Sequence, residues 1–223
     1  MKEIDLKIDA GSIVYILGQN GAGKSTLLNI LGNLIKPNSG KILYNGLACE
    51  GIDEASIKKE IGLLSNHSQL IEELNPLDYL YFVGLLYGKP KNELKDRIEF
   101  LLNLFFEDVN VVSNKIIQNF SSGMKRKIEL CATFIHNPSL ILLDEPFNTL
   151  DYVASDKLVN LILENAKLQK TTIMATHNLN LLKELATYIV IISEKKIAYK
   201  GSIDDFLGSP EYYEKYKSLL TNS

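Results

Sequence analysis

The sequence contains only two cysteines among its 223 residues, Cys49 and Cys131. They lie far apart and match no metal-binding spacing, so no cysteine-based metal site is predicted. Such sparse cysteine use favours a reducing compartment. Cys131 falls in an apolar stretch with helical spacing, and we expect it to be a buried thiol.

Long apolar runs are also missing. The longest, residues 80–87 and 188–192, are too short to span a bilayer. The first residues carry early acids and no apolar h-region, so they do not look like a signal peptide. The sequence therefore predicts no membrane span, and other chains must supply any spanning helices.

A strong charge of either sign is absent as well. Lysine and arginine total 24 against 27 acidic residues, which gives a net charge of −3. Such a balance creates no strong field toward nucleic acid, and we expect no nucleic-acid partner. The composition, 46% hydrophobic and 23% charged, is that of a soluble globular protein able to bury a sizeable core.

Residues 18–26 read GQNGAGKST and fit the phosphate-binding pattern G-x-x-x-x-G-K-[ST]. An apolar, β-branched run precedes them and leucines at helical spacing follow. A strand that turns through glycines into a helix directs backbone N–H groups and the positive helix end at one place, which suits a polyphosphate. The predicted nucleotide-binding residues of this loop are Gly18, Asn20, Gly21, Ala22, Gly23, Lys24, Ser25 and Thr26.

Strand and helix patterns alternate in the first and last thirds of the chain. Near-continuous apolar strands between helices predict an α/β fold, a mainly parallel sheet covered by helices on both faces. Helices are predicted over residues 24–35 and 152–168. The predicted strands are residues 13–17, 41–44, 61–64, 140–143, 171–175, 188–192 and 196–199.

The middle third has only helical patterns. Apolar residues recur at helical spacing from residue 76 to 106, and Gly88, Lys89 and Pro90 separate two helices. We interpret residues 69–119 as a helical subdomain inserted into one α/β core formed by residues 1–68 and 120–207. Residues 208–223 are predicted to form a short amphipathic tail helix.

A second set of candidate site residues follows two predicted strands. Asp144 and Glu145 end an apolar strand, where an open α/β sheet presents residues to its ligand crevice. Asp144 is a candidate magnesium ligand, and Glu145 could polarise an attacking water. His177 ends the next strand and could contact a γ-phosphate or orient that water. His136 lies at a predicted helix end, where a cation would suit the dipole.

Residues 120–124, Phe-Ser-Ser-Gly-Met, open another predicted helix. A serine there is first of all a cap, but hydroxyl and N–H donors at a helix start also form an anion site. This segment is therefore a candidate second anion site. Lys125, Arg126 and Lys127 follow, and we expect them to form a solvated face.

Together these motifs resemble the ATP-binding subunits of ABC transporters over nearly the whole chain. Residues 18–26 resemble the Walker A loop, 121–124 the signature motif, 140–145 Walker B and 148–151 the D-loop. The resemblance implies a P-loop NTPase core that uses ATP and Mg²⁺. It further implies Mg²⁺ ligation by Ser25 and Asp144, a catalytic Glu145, and a switch histidine, His177. It also implies a head-to-tail dimer in which Ser121 and Gly123 complete the partner's ATP site.

The sequence departs from the family pattern at three places. The Q-loop position falls at Asn66, beside His67 and Gln69, and Asn66 is the expected metal contact there. Ser122 replaces a glycine of the signature and Met124 a glutamine. The chain starts too late to contain the usual adenine-stacking aromatic residue, so we expect a longer native N-terminus or another mode of holding adenine.

The predicted function is therefore ATP hydrolysis that drives a separate transmembrane permease. A homodimer is expected, cytoplasmic and peripheral on the inner face of the cell membrane through the permease. A nucleotide-gated regulatory module with little hydrolysis is an alternative, and so is a soluble ABC ATPase without a transport role. Residues 65–67, 70–74, 120–124 and 145–147 are similar to haem-exporter ATPases of cytochrome c maturation and also to other export-type ATPases.

Overall fold

The computed structural model describes residues 1–49, 53–66, 69–177 and 181–209. Its main element is a six-stranded sheet in the order β4-β5-β6-β1-β7-β8, and β2 and β3 form a separate hairpin. The strands are β1 (Ile13–Leu17), β2 (Leu43–Tyr44), β3 (Leu47–Ala48), β4 (Ile61–Leu64), β5 (Leu140–Asp144), β6 (Thr171–Ala175), β7 (Tyr188–Ser193) and β8 (Lys196–Ser202).

The sheet is parallel from β4 to β7, and only the edge strand β8 pairs antiparallel. Every residue of β1 is buried, because helices or chain segments cover both faces of the sheet. β8 alternates between exposed and partly buried residues, as expected for an edge strand with one face toward water. The predicted α/β class and mainly parallel sheet are confirmed.

Most helices begin at a polar cap. Asp53, Asn75, Asp108, Ser121, Asp151 and Ser202 each accept a backbone N–H of the first turn. The helices are α1 (Lys24–Leu31), α2 (Glu54–Lys59), α3 (Pro76–Leu86), α4 (Lys91–Phe105), α5 (Val109–Ser113), α6 (Ser122–Phe134), α7 (Tyr152–Lys167), α8 (Leu182–Leu185) and α9 (Ile203–Gly208).

Two apolar clusters hold the layers together, one on each face of the sheet. One face packs against α1, α2 and apolar residues of the first eight positions. The other packs against α4, α6, α7 and α9 among others, and this larger cluster includes the buried thiol of Cys131. Alternate residues of β1 supply the two clusters, since Val14 and Ile16 face one side and Ile13, Tyr15 and Leu17 the other.

The helices α3, α4 and α5 lie between β4 and β5 in the sequence, at the position predicted for the helical insertion. Gly84 lets α3 and α4 approach closely, because a β-carbon there would lie 2.2 Å from a methyl carbon of Leu94. The α4 helix also packs against α6. The exact bounds of a subdomain remain a prediction.

Several predicted bounds were wrong. The first helix ends at Leu31 rather than at residue 35, and Leu34 and Ile35 are exposed. Of the strand predicted over residues 41–44, only Leu43–Tyr44 forms, in the short hairpin with β3. The tail helix predicted over 208–223 lies almost wholly outside the described residues.

Candidate functional site

Three adjacent strands, β5, β6 and β1, bring the predicted site residues to one edge of the sheet. The glycine-rich loop follows β1, Glu145 follows β5, and Thr176 and His177 follow β6. Parallel strands present their carboxyl ends at the same edge, which is where open α/β sheets bind ligands. Motifs that are about 120 to 160 residues apart in sequence therefore meet in space.

The glycine-rich loop turns directly from β1 into α1. Gly23 is the N-cap and has φ 108°, a left-handed conformation that glycine adopts without steric penalty. Gly18 passes close to β7, because a β-carbon there would lie 2.5 Å from the carbonyl oxygen of Ile192. The first turn of α1 has no acidic residue, so the positive end of the helix dipole is not neutralised locally.

Lys24 is 7% exposed and folds back over its own loop. Its Nζ donates to the carbonyl oxygens of Gly18, at 2.7 Å, and Gln19, at 3.1 Å. Burial lowers the pKa of Lys24, and the nearby carboxylates of Glu145 and Asp144 act in the opposite direction. The ammonium thus lies between the phosphate-binding loop and the acidic strand end.

Asp144 and Ser25 lie near each other beside the phosphate-binding loop. Asp144 is 6% exposed. Burial raises the pKa of Asp144, and the nearby Ser25 side chain opposes that rise. A hydroxyl and a carboxylate side by side provide the hard oxygen donors that Mg²⁺ prefers.

Glu145 is held at both carboxylate oxygens. Oε1 lies 2.8 Å from His177 Nδ1, and Oε2 accepts the Thr176 hydroxyl at 3.1 Å. The Glu145 side chain is 11% exposed and that of His177 is 59% exposed. The bond to Glu145 uses Nδ1 as donor and leaves Nε2 of His177 outside this contact. Glu145 and His177 therefore form one polar unit beside Asp144.

The candidate signature residues Ser121 and Gly123 contact the start of α6 and the loop after β5. Ser121 is exposed and caps α6, accepting the Met124 N–H at 3.3 Å. Gly123 packs against the loop after β5, because a β-carbon there would lie 2.7 Å from the Thr149 carbonyl oxygen. Neither residue bonds to the phosphate-binding loop of its own chain among the described residues.

Asn66 is exposed and follows β4 by two residues. The register of Leu64 with Leu143 places it at the same edge of the sheet as Glu145. Within the described ranges no bond joins it to Ser25 or Asp144. Its neighbour His67 lies outside the described residues.

His136 does not serve as a cation at a helix end, which corrects the sequence-based expectation. It is 2% exposed, stacks on Tyr87 with ring centroids 3.6 Å apart, and donates from Nε2 to the Ile61 carbonyl oxygen at 3.1 Å. Burial lowers the pKa of His136 to about 4, so the ring is neutral near pH 7.

The expectation of a solvated basic face on α6 was also wrong. Arg126 is 7% exposed and donates to the carbonyl oxygens of Asp144 and Glu145. Lys125 pairs with Glu72 at 2.8 Å, and Lys127 with Asp151 at 2.7 Å. One signal for Arg126 was in the sequence: it precedes Leu130 by four positions and so shares its face of the helix.

A phosphate-binding loop between strand and helix, with an acidic strand end beside it, defines a P-loop nucleotide-binding protein. A sequence model of the family described as "ABC transporter" matches residues 1–148. The chain is 30% identical over 210 residues to the ABC transporter ATP-binding protein NatA of Bacillus subtilis, covering 94% of this chain and 84% of that one.

Solved structures agree with the family match. An ATP-binding subunit of an ABC transporter superposes with a TM-score of 0.85 at 27% identity, covering 96% of this chain and 89% of that one. A dimeric ATP-binding cassette in a post-hydrolysis state with ADP and Pi has a TM-score of 0.81 at 25% identity, covering 91% and 90%.

The chain therefore belongs to the ABC transporter family. It is an ATP-binding, ATP-hydrolysing subunit that energises a separate permease. Across the described residues, no helix has both the length and the apolar character needed to cross a bilayer.

Proposed function

We propose that this chain hydrolyses magnesium-bound ATP at the edge formed by β1, β5 and β6, with Glu145 as the catalytic carboxylate. The observation that carries the proposal is the double anchoring of Glu145 by Thr176 and His177, one residue from the Ser25–Asp144 pair. Phosphoryl transfer depends mainly on positioning and charge stabilisation, and these contacts supply positioning.

Each side chain has a distinct task in this proposal. Lys24 and the backbone N–H groups of residues 21–25 bind the β- and γ-phosphates. Glu145 accepts a hydrogen bond from the attacking water and takes up its proton as the water oxygen bonds to the γ-phosphorus and the bond to ADP breaks. His177, with a proton on each ring nitrogen, donates from Nδ1 to Glu145 and from Nε2 to a γ-phosphate oxygen.

The donor set near Lys24 fits Mg²⁺. Ser25 and Asp144 would hold the ion through oxygen, while ATP and water complete its coordination, as Mg²⁺ usually retains several waters. When bound, the ion neutralises phosphate charge. Asn66 is proposed as a further contact, through its amide oxygen, when the segment after β4 approaches the nucleotide.

A second copy of the chain completes the site in this proposal. Ser121 is exposed at the N-terminus of the 13-residue helix α6, and its hydroxyl accepts the Met124 N–H of the first turn. Serine hydroxyl and N–H donors at a helix start suit an anion. We propose a homodimer in which Ser121 and Gly123 of each copy contact the γ-phosphate held by the other.

The permease is proposed to dock in a groove of about 580 Å³ between the sheet and the inserted helices. Apolar side chains such as Leu34, Phe82 and Leu86 line it, and each is at least 43% exposed. Lys58 and Lys59 also line the groove, so a permease segment with an apolar face and acidic residues would complement it. Docking there would place the chain at the cytoplasmic face of the membrane as a peripheral subunit. The proposal includes no nucleic-acid partner.

We also propose a division of the chain into a core, a helical subdomain and a tail. Residues 1–68 and 120–207 form the core, residues 69–119 the helical subdomain and residues 208–223 the tail. Haem export stays a prediction of the sequence resemblance.

The test is steady-state phosphate release from Mg-ATP by the purified chain and its Glu145→Gln variant. We expect release to fall at least about 100-fold, a typical contribution of a general base, because the amide cannot take the proton. Binding of Mg-ATP should be retained, since Lys24 and Ser25 are unchanged. Glu72→Gln, a partly exposed acid paired with Lys125, serves as control and should hydrolyse ATP like the wild type. Equal release by Glu145→Gln and the wild type would remove Glu145 from its role.

A further inference from the structure

The guanidinium of Arg126 connects three segments that surround the site. Its two terminal nitrogens make four hydrogen bonds. One nitrogen donates to the carbonyl oxygens of Asp144, at 2.6 Å, and Glu145, at 2.9 Å. The other donates to the carbonyl oxygen of Ser65, at 2.9 Å, and to Glu129 Oε2, at 3.0 Å. Three of the four acceptors are backbone oxygens, so the contacts fix the path of the chain.

The backbone at Glu145 needs such support. Glu145 has φ 47°, in the left-handed region that residues other than glycine rarely adopt. Successive carbonyls of a strand point in opposite directions, whereas those of Asp144 and Glu145 reach the same nitrogen of Arg126. The turn at Glu145 makes this convergence geometrically feasible, and the two bonds in return stabilise the turn. The direction in which the Glu145 side chain leaves the backbone is thereby set.

The other nitrogen of Arg126 faces the groove between the sheet and the inserted helices. Ser65 and Glu129 both line that groove. A guanidinium is planar and presents its N–H groups in a rigid fork. A shift of Ser65 or Glu129 would therefore change the geometry of all four hydrogen bonds of Arg126. One buried side chain thus joins the proposed permease-docking groove to the backbone of the catalytic carboxylate.

We propose that Arg126 is a positioning residue that holds Glu145 in its catalytic orientation and makes that orientation dependent on the residues of the groove. The inference rests on the proposed function, because it assigns Glu145 the role of base. Arg126 itself contacts neither nucleotide nor water in this proposal. Its effect on turnover passes entirely through the backbone of Asp144 and Glu145.

The test compares Arg126→Lys with Lys125→Ala. A lysine keeps the charge but cannot span the carbonyls of Ser65, Asp144 and Glu145 together, so we expect kcat to fall at least tenfold. The dissociation constant for Mg-ATP should change less than threefold, and the variant should remain folded at the assay temperature by circular dichroism. Lys125→Ala removes the neighbouring charge and its pairing with Glu72, and should leave kcat within twofold of the wild type.

A double-mutant cycle separates positioning from general destabilisation. If Arg126 acts through Glu145, Arg126→Lys should change the residual single-turnover rate of Glu145→Gln less than twofold. Unchanged kcat in Arg126→Lys would overturn the inference. So would a tenfold further loss in the Glu145→Gln background, or a loss of ATP binding equal to the loss of kcat. A wild-type chain that releases no phosphate would contradict the proposed function itself, which is a separate and visible outcome.

Discussion

At the scale of single residues, the site consists of buried charged side chains that are stabilised by neighbouring polar and oppositely charged groups. Lys24 lies between the loop carbonyls and the carboxylates of Asp144 and Glu145, and Glu145 in turn is bonded to Thr176 and His177. Burying a charge is tolerated only when partners surround it. We infer that the site is arranged in advance for an anionic ligand and an attacking water.

Lys24 offers a direct prediction at this scale. Lys24→Ala should weaken Mg-ATP binding about 10- to 100-fold, because a charged hydrogen bond to phosphate contributes roughly 1.5–3 kcal/mol. Isothermal titration calorimetry would measure the change. Lys36→Ala is the matched control, since Lys36 is 82% exposed and pairs only with Glu54 among the described residues. Equal affinities of wild type and Lys24→Ala would contradict this role for Lys24.

Much of the site was predictable from sequence at the level of single residues. Local patterns indicate Lys24, Asp144, Glu145 and His177, because each follows an apolar strand in a recognisable context. Arg126 was missed because it lies between two lysines and a basic triplet usually faces water. Its burial depends on the carbonyls of Ser65, Asp144 and Glu145, which are distant in sequence and turn toward it only in the folded chain.

At the scale of elements, the contact between α3 and the end of α6 depends on His136. The ring stacks on Tyr87, the residue that follows α3, and donates to the carbonyl oxygen of Ile61 in β4. Its other nitrogen, Nδ1, is buried without a hydrogen-bond partner among the described residues. The contact therefore requires the neutral ring.

This requirement predicts an acid-dependent loss of stability. The pKa of His136 falls from an ordinary 6.5 to about 4 on folding. Between these values the unfolded chain binds a proton that the folded chain does not, so stability decreases as pH falls from about 6.5 to 4. The full effect is on the order of 3 kcal/mol, and at pH 7 and above it is absent.

Urea unfolding at several pH values would measure this effect. His136→Phe can keep the stacking on Tyr87 but cannot titrate, so its free energy of unfolding should fall less than that of the wild type between pH 6.5 and 4. Acidic residues titrate in both proteins, and the comparison cancels their contribution. Parallel pH profiles of the two proteins would show that His136 does not titrate as described.

The strong hydrophobic periodicity of the longer elements made them predictable, whereas the bounds of the shortest elements were not. The predicted range of β1 matches the observed strand, and the break between α3 and α4 lies at Gly88 and Pro90 as expected. The strands β2 and β3 have two residues each and are too short to show a hydrophobic period. The first helix ends early because the chain turns at Gly32 and Asn33, the latter in a left-handed conformation.

At the scale of the whole molecule, strand order creates the site. The sequence indicates strands and helices but not that β1 inserts between β6 and β7. That order makes β5, β6 and β1 neighbours and brings Asp144, His177 and Lys24 to one edge. Among the described residues Ser121 bonds only to the first turn of its own helix, which is why we propose that a second copy uses it.

The measurement that tests this shared site most directly is the mass of the Glu145→Gln variant in solution with ATP. Multi-angle light scattering should show 25.0 kDa without nucleotide and a shift toward about 50 kDa with Mg-ATP, twice the mass of one chain. Ser121→Arg in the same background should prevent the shift while leaving ATP binding intact. A variant that binds Mg-ATP and stays at 25.0 kDa at all concentrations would contradict an ATP site completed by a second copy.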